Sequence, residues 1–256
     1  MNNNNLKVKI SWSFYDWANS AWSAIIITFI FSRYFVDVLA TNQDTGTLYW
    51  TWTIGLSSLV AAFLSPIFGS ISDQSQRSKI WLVYTTLIYA FIATSFWFAE
   101  PNKFNIILII LLIFIGNISY EISQIFYNGQ LKEITSENNF AKLSGFAWGL
   151  GYVGTVVIFL IYYGLFLLPS NPIFALDNSS YANIRISFLL TGLWILIFSL
   201  PLFFSFKDKS RDLANSKINL KESFNQIFRT FKELKQYKNI FWFLIARLFY
   251  MDGINA

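Results

Sequence analysis

Six apolar stretches, each long enough to cross about 30 Å of hydrocarbon at about 1.5 Å per helical residue, narrow the possible folds more than any other feature of this chain. They fall near Trp17 to Leu39, Tyr49 to Phe68, Ile80 to Phe98, Phe104 to Phe126, Leu143 to Leu168 and Ser187 to Phe206. Each is far longer than a membrane β-strand and none alternates strictly. Helices, which satisfy their own backbone groups, are therefore the structure that lipid permits. With 55% hydrophobic and 13% charged residues in 256, there is too little polar surface to coat a water-soluble globule. The expected fold class is an all-α membrane protein of six transmembrane helices plus the start of a seventh.

The absence of histidine and cysteine removes the commonest general base, the thiolate nucleophile and the usual soft metal ligands. No Gly-rich phosphate loop with lysine occurs either. An enzyme, a resident metal and a cofactor are thus not expected. The formal charge of +5 is spread between apolar runs rather than gathered on one solvated face, which argues against a nucleic-acid partner.

Lysine and arginine divide the connections into two sets. Lys7 and Lys9, Arg77 and Lys79, Lys132 and Lys142, and the run from Lys207 to Lys238 belong to one side. The other side carries Asp37, Asp44, Glu100, Lys103, Asp177 and Arg185. Because positive loops are retained in the cytoplasm, the amino terminus is expected there, in a multi-pass protein of a bacterial cytoplasmic (inner) membrane. Residues 1–10 are read as a cytoplasmic tail whose asparagine run is disordered, 11–206 as the six-helix bundle, 207–239 as a cytoplasmic loop with an amphipathic helix and 240–256 as a truncated seventh helix. Within the loop, Leu220, Phe224, Ile227, Phe228, Phe231 and Leu234 recur at helical spacing. Asn219 followed three places later by Glu222 resembles a capping box, so an amphipathic helix starting at the loop's midpoint and lying on the membrane surface is expected, with a partner protein on the same face as the alternative. The last apolar run stops short of a full span, and the chain is read as the first half of a larger protein.

Polar groups inside such spans are costly and normally face a bundle interior or water. Asp16, Asn19 and Ser23 share one face of the first helix and are candidates for lining a solute path. The competing reading places Asp16 at the interface, where it caps the helix. In the fourth helix Glu121, with Asn117 and Gln124 nearby, is the candidate proton-sensitive group; an interhelical hydrogen-bonded contact is the alternative. Trp148 and Tyr152 sit one turn apart on the fifth helix and are candidate solute contacts or packing aromatics. Gly145, Gly149, Gly151 and Gly154, with Ala147, are expected to bring that helix close to a neighbour. Arg33 is expected to snorkel, and Arg247 to do so or to pair with an acid. Phe14-Tyr15-Asp16 with Asn19 recurs as Phe249-Tyr250 and Asp252 with Asn255, the mark of a seventh helix that echoes the first.

Between the second and third spans, Gly69-Ser70-Ile71-Ser72-Asp73-Gln74-Ser75-Gln76-Arg77-Ser78-Lys79 sets a glycine, an acid and basic residues at intervals of about four. This resembles the cytoplasmic signature of the major facilitator superfamily, with Gln76 where that family has glycine. Ser11-Trp-Ser-Phe-Tyr-Asp-Trp-Ala-Asn-Ser-Ala21 and Ser144-Gly-Phe-Ala-Trp-Gly-Leu-Gly-Tyr-Val-Gly154 resemble its vacuole-effluxer branch, as does Ala246-Arg-Leu-Phe-Tyr-Met-Asp-Gly253. Glu133 takes the place of an acid usual in that branch, although Lys132 replaces the expected proline. The resemblance implies twelve helices in two halves, of which this chain is the amino-terminal half. It also implies a secondary carrier working by alternating access, with Gly69, Asp73, Arg77 and Lys79 in a cytoplasmic gating motif. A small solute, with amino-acid efflux suggested by vacuolar members, the lipid bilayer and protons as coupling ion are the implied partners. The missing carboxy-terminal half would be needed for transport. The alternative is a non-catalytic six-helix membrane module that needs a partner chain.

Overall fold

The computed structural model describes residues 3–75, 78–103, 105–167, 176, 180–208 and 237–255. Among these there is no strand, and six helices are long and apolar enough to cross a membrane. Helix α1 (Asn3–Ala21) is carried on by a π-helical stretch (Trp22–Phe29), a turn of α-helix (Phe31–Tyr34) and a second π stretch (Phe35–Leu39). There follow α2 (Gln43–Ser75), α3 (Ser78–Ser95), α4 (Ile106–Ile134), α5 (Phe140–Tyr162) and α6 (Ala182–Ser205). Helix α7 (Lys238–Asn255) lies in a second compact unit, residues 213–256, apart from the unit of residues 1–212 that holds the six spans. The expected amphipathic helix around Leu220 to Leu234 lies outside the described residues.

Several helices overrun the apolar stretches. The first begins at Asn3, so the polar leader is helical rather than unstructured from that residue on, and the fourth reaches Ile134, well past Phe126. Hydropathy marks only what hydrocarbon covers, whereas a helix continues into the headgroup region wherever long polar side chains reach water.

Within the six-span unit, α1 packs against α5 and α6, α2 against α4, and α3 against both α4 and α6. One apolar cluster gathers Trp22, Phe31, Phe35, Tyr89, Phe96 and Phe188; a second gathers Trp12, Tyr15, Leu82, Phe126, Tyr127 and Leu202. Polar pins hold these clusters in register. Trp12 stacks on Tyr127 at 4.3 Å between ring centroids, the indole N–H donates to the Tyr127 carbonyl at 3.1 Å, and the Tyr127 hydroxyl donates back to the Trp12 carbonyl at 3.1 Å. Tyr15 shares hydrogen bonds with Thr86 at 2.7 Å and Tyr89 at 3.2 Å. Each bond satisfies a phenol or indole that burial would otherwise strand.

The fifth helix approaches α1 only along part of its small-residue stripe. A Cβ on Gly154 would come within 2.9 Å of the Trp17 carbonyl, and one on Gly151 within 3.2 Å of the Asp16 carbonyl. Gly145 and Gly149, expected to pack in the same way, are exposed, with nothing within 4 Å of such a Cβ. They stand on the face of α5 that points away from α1.

The two ends of the bundle differ in chemistry. At one end the Asp208 carboxylate accepts hydrogen bonds from the Lys79 backbone N–H at 3.0 Å and the Ser78 hydroxyl at 3.3 Å, which ties the end of α6 to the start of α3. Lys9 and Lys142 line one cavity at that end, so the basic connections gather together. At the other end Tyr34 donates to the Ala99 carbonyl at 2.7 Å. Arg185, counted above as a loop residue, is only 7% exposed there and donates to the Trp97 carbonyl at 2.7 Å and the Ser180 carbonyl at 3.1 Å. Buried carbonyls and the Trp97 ring, 5.3 Å from the guanidinium carbon, replace its water shell. Arg33 pairs with Asp37 one turn on while staying largely exposed.

Candidate functional site

A cavity of about 280 Å³ opens between α1 with its π continuation, α4 and α5. From α1 come Asp16, Asn19 and Ser20; from the π stretch Ser23, Ala24, Thr28 and Phe29; from α4 Tyr120 and Gln124; from α5 Trp148, Tyr152 and Thr155. Its position follows from helix geometry. Residues 16, 19, 20 and 23 recur at helical intervals and form one stripe, and the close approach at Gly151 and Gly154 sets α5 beside that stripe.

Asp16 lies 16 − 3 = 13 residues into α1, about 20 Å from its first residue at 1.5 Å per residue. It therefore lies outside the first turn of α1. Asn19 donates to its carboxylate at 3.4 Å, and the Ser20 hydroxyl donates to the Asp16 backbone carbonyl at 2.7 Å. Among the described residues that line the cavity, Asp16 alone is charged. The rest of the lining is hydroxyl, amide and aromatic: Trp148 and Tyr152 meet edge to face at 5.0 Å, both more than half exposed. Among the described residues no three acidic side chains converge into a metal-binding set.

The π stretch bears directly on this site. Its wider turns shift the register of the side chains that follow, and such insertions recur at functional sites in helices. The Thr28 hydroxyl donates to the Ser23 carbonyl five residues back at 2.9 Å, and the Ile30 N–H to the Ile25 carbonyl at 3.2 Å. Ser23, Thr28 and Phe29 are aimed into the cavity from this segment. A run of β-branched residues, Ile25 to Thr28, is the sequence signal for it, since such side chains crowd a regular α-turn.

Of the candidate residues, Asp16, Asn19, Ser23, Trp148 and Tyr152 surround one cavity. Asn117 and Glu121 do not line it. Asn117 is buried and donates to Ser57 at 2.9 Å and Ser58 at 3.3 Å, binding α4 to α2. Glu121, half-buried, lies 134 − 121 = 13 residues before the end of α4, about 20 Å away and deeper than the turn and a half that a helix ending at Phe126 implies. Gly69 is helical and Lys79 lies in the first turn of α3. Arg77 lies outside the described residues, as do the side chains of Asp73, Asp252 and Asn255. Ser20, Thr28, Phe29, Tyr120 and Thr155 join the site without having been singled out; Tyr120, beside Glu121, offered the plainest signal.

The profile of the family described as vacuole effluxer Atg22 like matches residues 33–139 and 130–256. An uncharacterized MFS-type transporter of Bacillus subtilis strain 168, YxiO, is 28% identical over 260 residues, which cover 98% of this chain and 58% of that protein. The chain thus spans little more than half the length of this relative. The xylose transporter XylE of E. coli, in an inward-open conformation, superposes with a TM-score of 0.55 at 13% identity, over 90% of this chain and 55% of that one. At that identity the likeness concerns the fold, a six-helix bundle of the major facilitator type.

Proposed function

The chain belongs to the vacuole effluxer Atg22-like family and is similar to an MFS-type transporter of Bacillus subtilis, and we propose that it forms one side of a secondary carrier for a small solute. The observation that carries this reading is the polar cavity between α1, α4 and α5, deep within the span of the helices. A carrier of this type rocks two helical bundles about a central site, and the second bundle would close the open side of the cavity. The lining suits a solute with an ammonium group: Asp16 supplies the counter-charge, Trp148 and Tyr152 supply faces for a cation, and among the described residues of the lining there is no lysine or arginine to pair with an anion. Efflux fits the family's description, and the ammonium group of an amino acid or amine fits Asp16.

In this reading the lysine-rich end faces the cytoplasm. Gly69, Asp73, Arg77 and Lys79 form the gating connection there, and the 207–239 loop with its amphipathic helix rests on that membrane surface. Asp252 and Asn255 of α7 take the register positions that Asp16 and Asn19 hold in α1. Glu121 and Asp16 are the carboxylates that would couple proton binding to rocking.

Everted vesicles from cells producing the chain together with the carboxy-terminal bundle of the Bacillus relative provide the test. Labelled amino acids and simple amines should accumulate saturably, and Asp16→Asn should lower that accumulation about tenfold or more, the loss of one charge-assisted contact. Equal accumulation by Asp16→Asn, at equal protein level, would overturn the assignment.

A further inference from the structure

A second cavity, of about 380 Å³, lies at the lysine-rich end of the bundle, between the start of α1 and the connection from α4 to α5. Leu6, Ile10, Leu143 and Phe146 make most of its wall, and three of these four are exposed large apolar side chains: Leu6 at 53%, Ile10 at 47% and Phe146 at 58%. Lys9 and Lys142 stand over the same space from the two helices. Asn139, which precedes α5 and also lines the cavity, makes no side-chain cap to that helix and donates instead to the Ser136 hydroxyl at 3.1 Å, while the first N–H of α5, on Phe140, donates to the Glu137 carbonyl. Two ammonium groups thus share one cavity with an apolar floor.

We infer that this cavity binds an anionic phospholipid, its phosphate held between Lys9 and Lys142 and an acyl chain laid along Leu6, Ile10, Leu143 and Phe146. Charge complementarity selects the headgroup. A net-negative phosphate answers both lysines, whereas a choline headgroup would bring a third cation beside them. The apolar wall selects a lipid over a free phosphate compound, since a soluble anion would leave those side chains uncovered. Glu137 belongs to the same connection but does not line the cavity. The site lies apart from the solute cavity, with no lining residue in common, and depends only on the bundle's being in a membrane.

The 256-residue chain, reconstituted in nanodiscs of equal phosphatidylcholine and phosphatidylglycerol and then extracted gently, reads this out by native mass spectrometry. The wild type should retain phosphatidylglycerol in preference to phosphatidylcholine. K9Q/K142Q should lose that preference by about tenfold, K9R/K142R should keep it, and K103Q, which removes one positive charge at the opposite end, should keep it too. F146A should reduce retention of both lipids without altering charge. Unchanged preference in K9Q/K142Q overturns the proposal, as does glycerol phosphate competing as well as the lipid itself.

Discussion

Gly154 and the Trp17 carbonyl meet closely enough that one added methyl group has no room, whereas Gly145 faces open space on the same helix. Gly154→Val should therefore lower the melting temperature in detergent, at a cost of about 1–3 kcal/mol from overpacking, while Gly145→Ala leaves it in place. Equal effects of the two would contradict the packing of α5 on α1. At the Trp12 and Tyr127 pair the rings stack at 4.3 Å between centroids, so Trp12→Ala and Tyr127→Ala, which both remove that shared contact, should be non-additive, with a coupling of about 0.5–3 kcal/mol in a double-mutant cycle. At this scale the polar stripe of Asp16, Asn19 and Ser23 was legible because helical spacing alone puts three costly side chains on one face. The orientation of α4 was not. Which of Asn117, Tyr120, Glu121 and Gln124 turns to the cavity depends on how α4 rotates against α2, and the Asn117 bonds to Ser57 and Ser58 fix that rotation.

Asp208 acts on an element rather than on a ligand. Its carboxylate meets the Lys79 N–H in the first turn of α3, where a negative charge answers the positive helix end. Asp208→Ala should cost roughly 0.5–2 kcal/mol and speed amide hydrogen exchange in the first turn of α3, as read by mass spectrometry of its peptides. Exchange there unchanged, with exchange elsewhere also unchanged, would contradict the capping role. The existence and number of the spans were legible from hydropathy, because six apolar runs admit one helical solution in lipid. Their true lengths were hidden, since polar turns continue α1 back to Asn3 and α4 on to Ile134. The π stretch over Trp22–Phe29 was hidden too: a β-branched run signals strain in a regular helix without saying how the strain resolves.

At the scale of the whole molecule, the proposed carrier combines the six-span bundle, the polar cavity beside α1 and a second bundle that would close it. The 256-residue chain alone in proteoliposomes should give no solute uptake, and coexpression with the carboxy-terminal bundle of the Bacillus relative should restore it; uptake by the chain alone would contradict the two-bundle reading. All of this rests on the helices crossing the membrane alternately, with the lysine-rich connections inside. The chain contains no cysteine, so single cysteines can be placed without background. Labelling intact cells with a membrane-impermeant maleimide should modify Lys103→Cys directly, and Lys79→Cys and Lys142→Cys only after permeabilisation. Modification of the Lys79 and Lys103 positions from the same compartment would contradict the alternating path of the helices and, with it, the carrier.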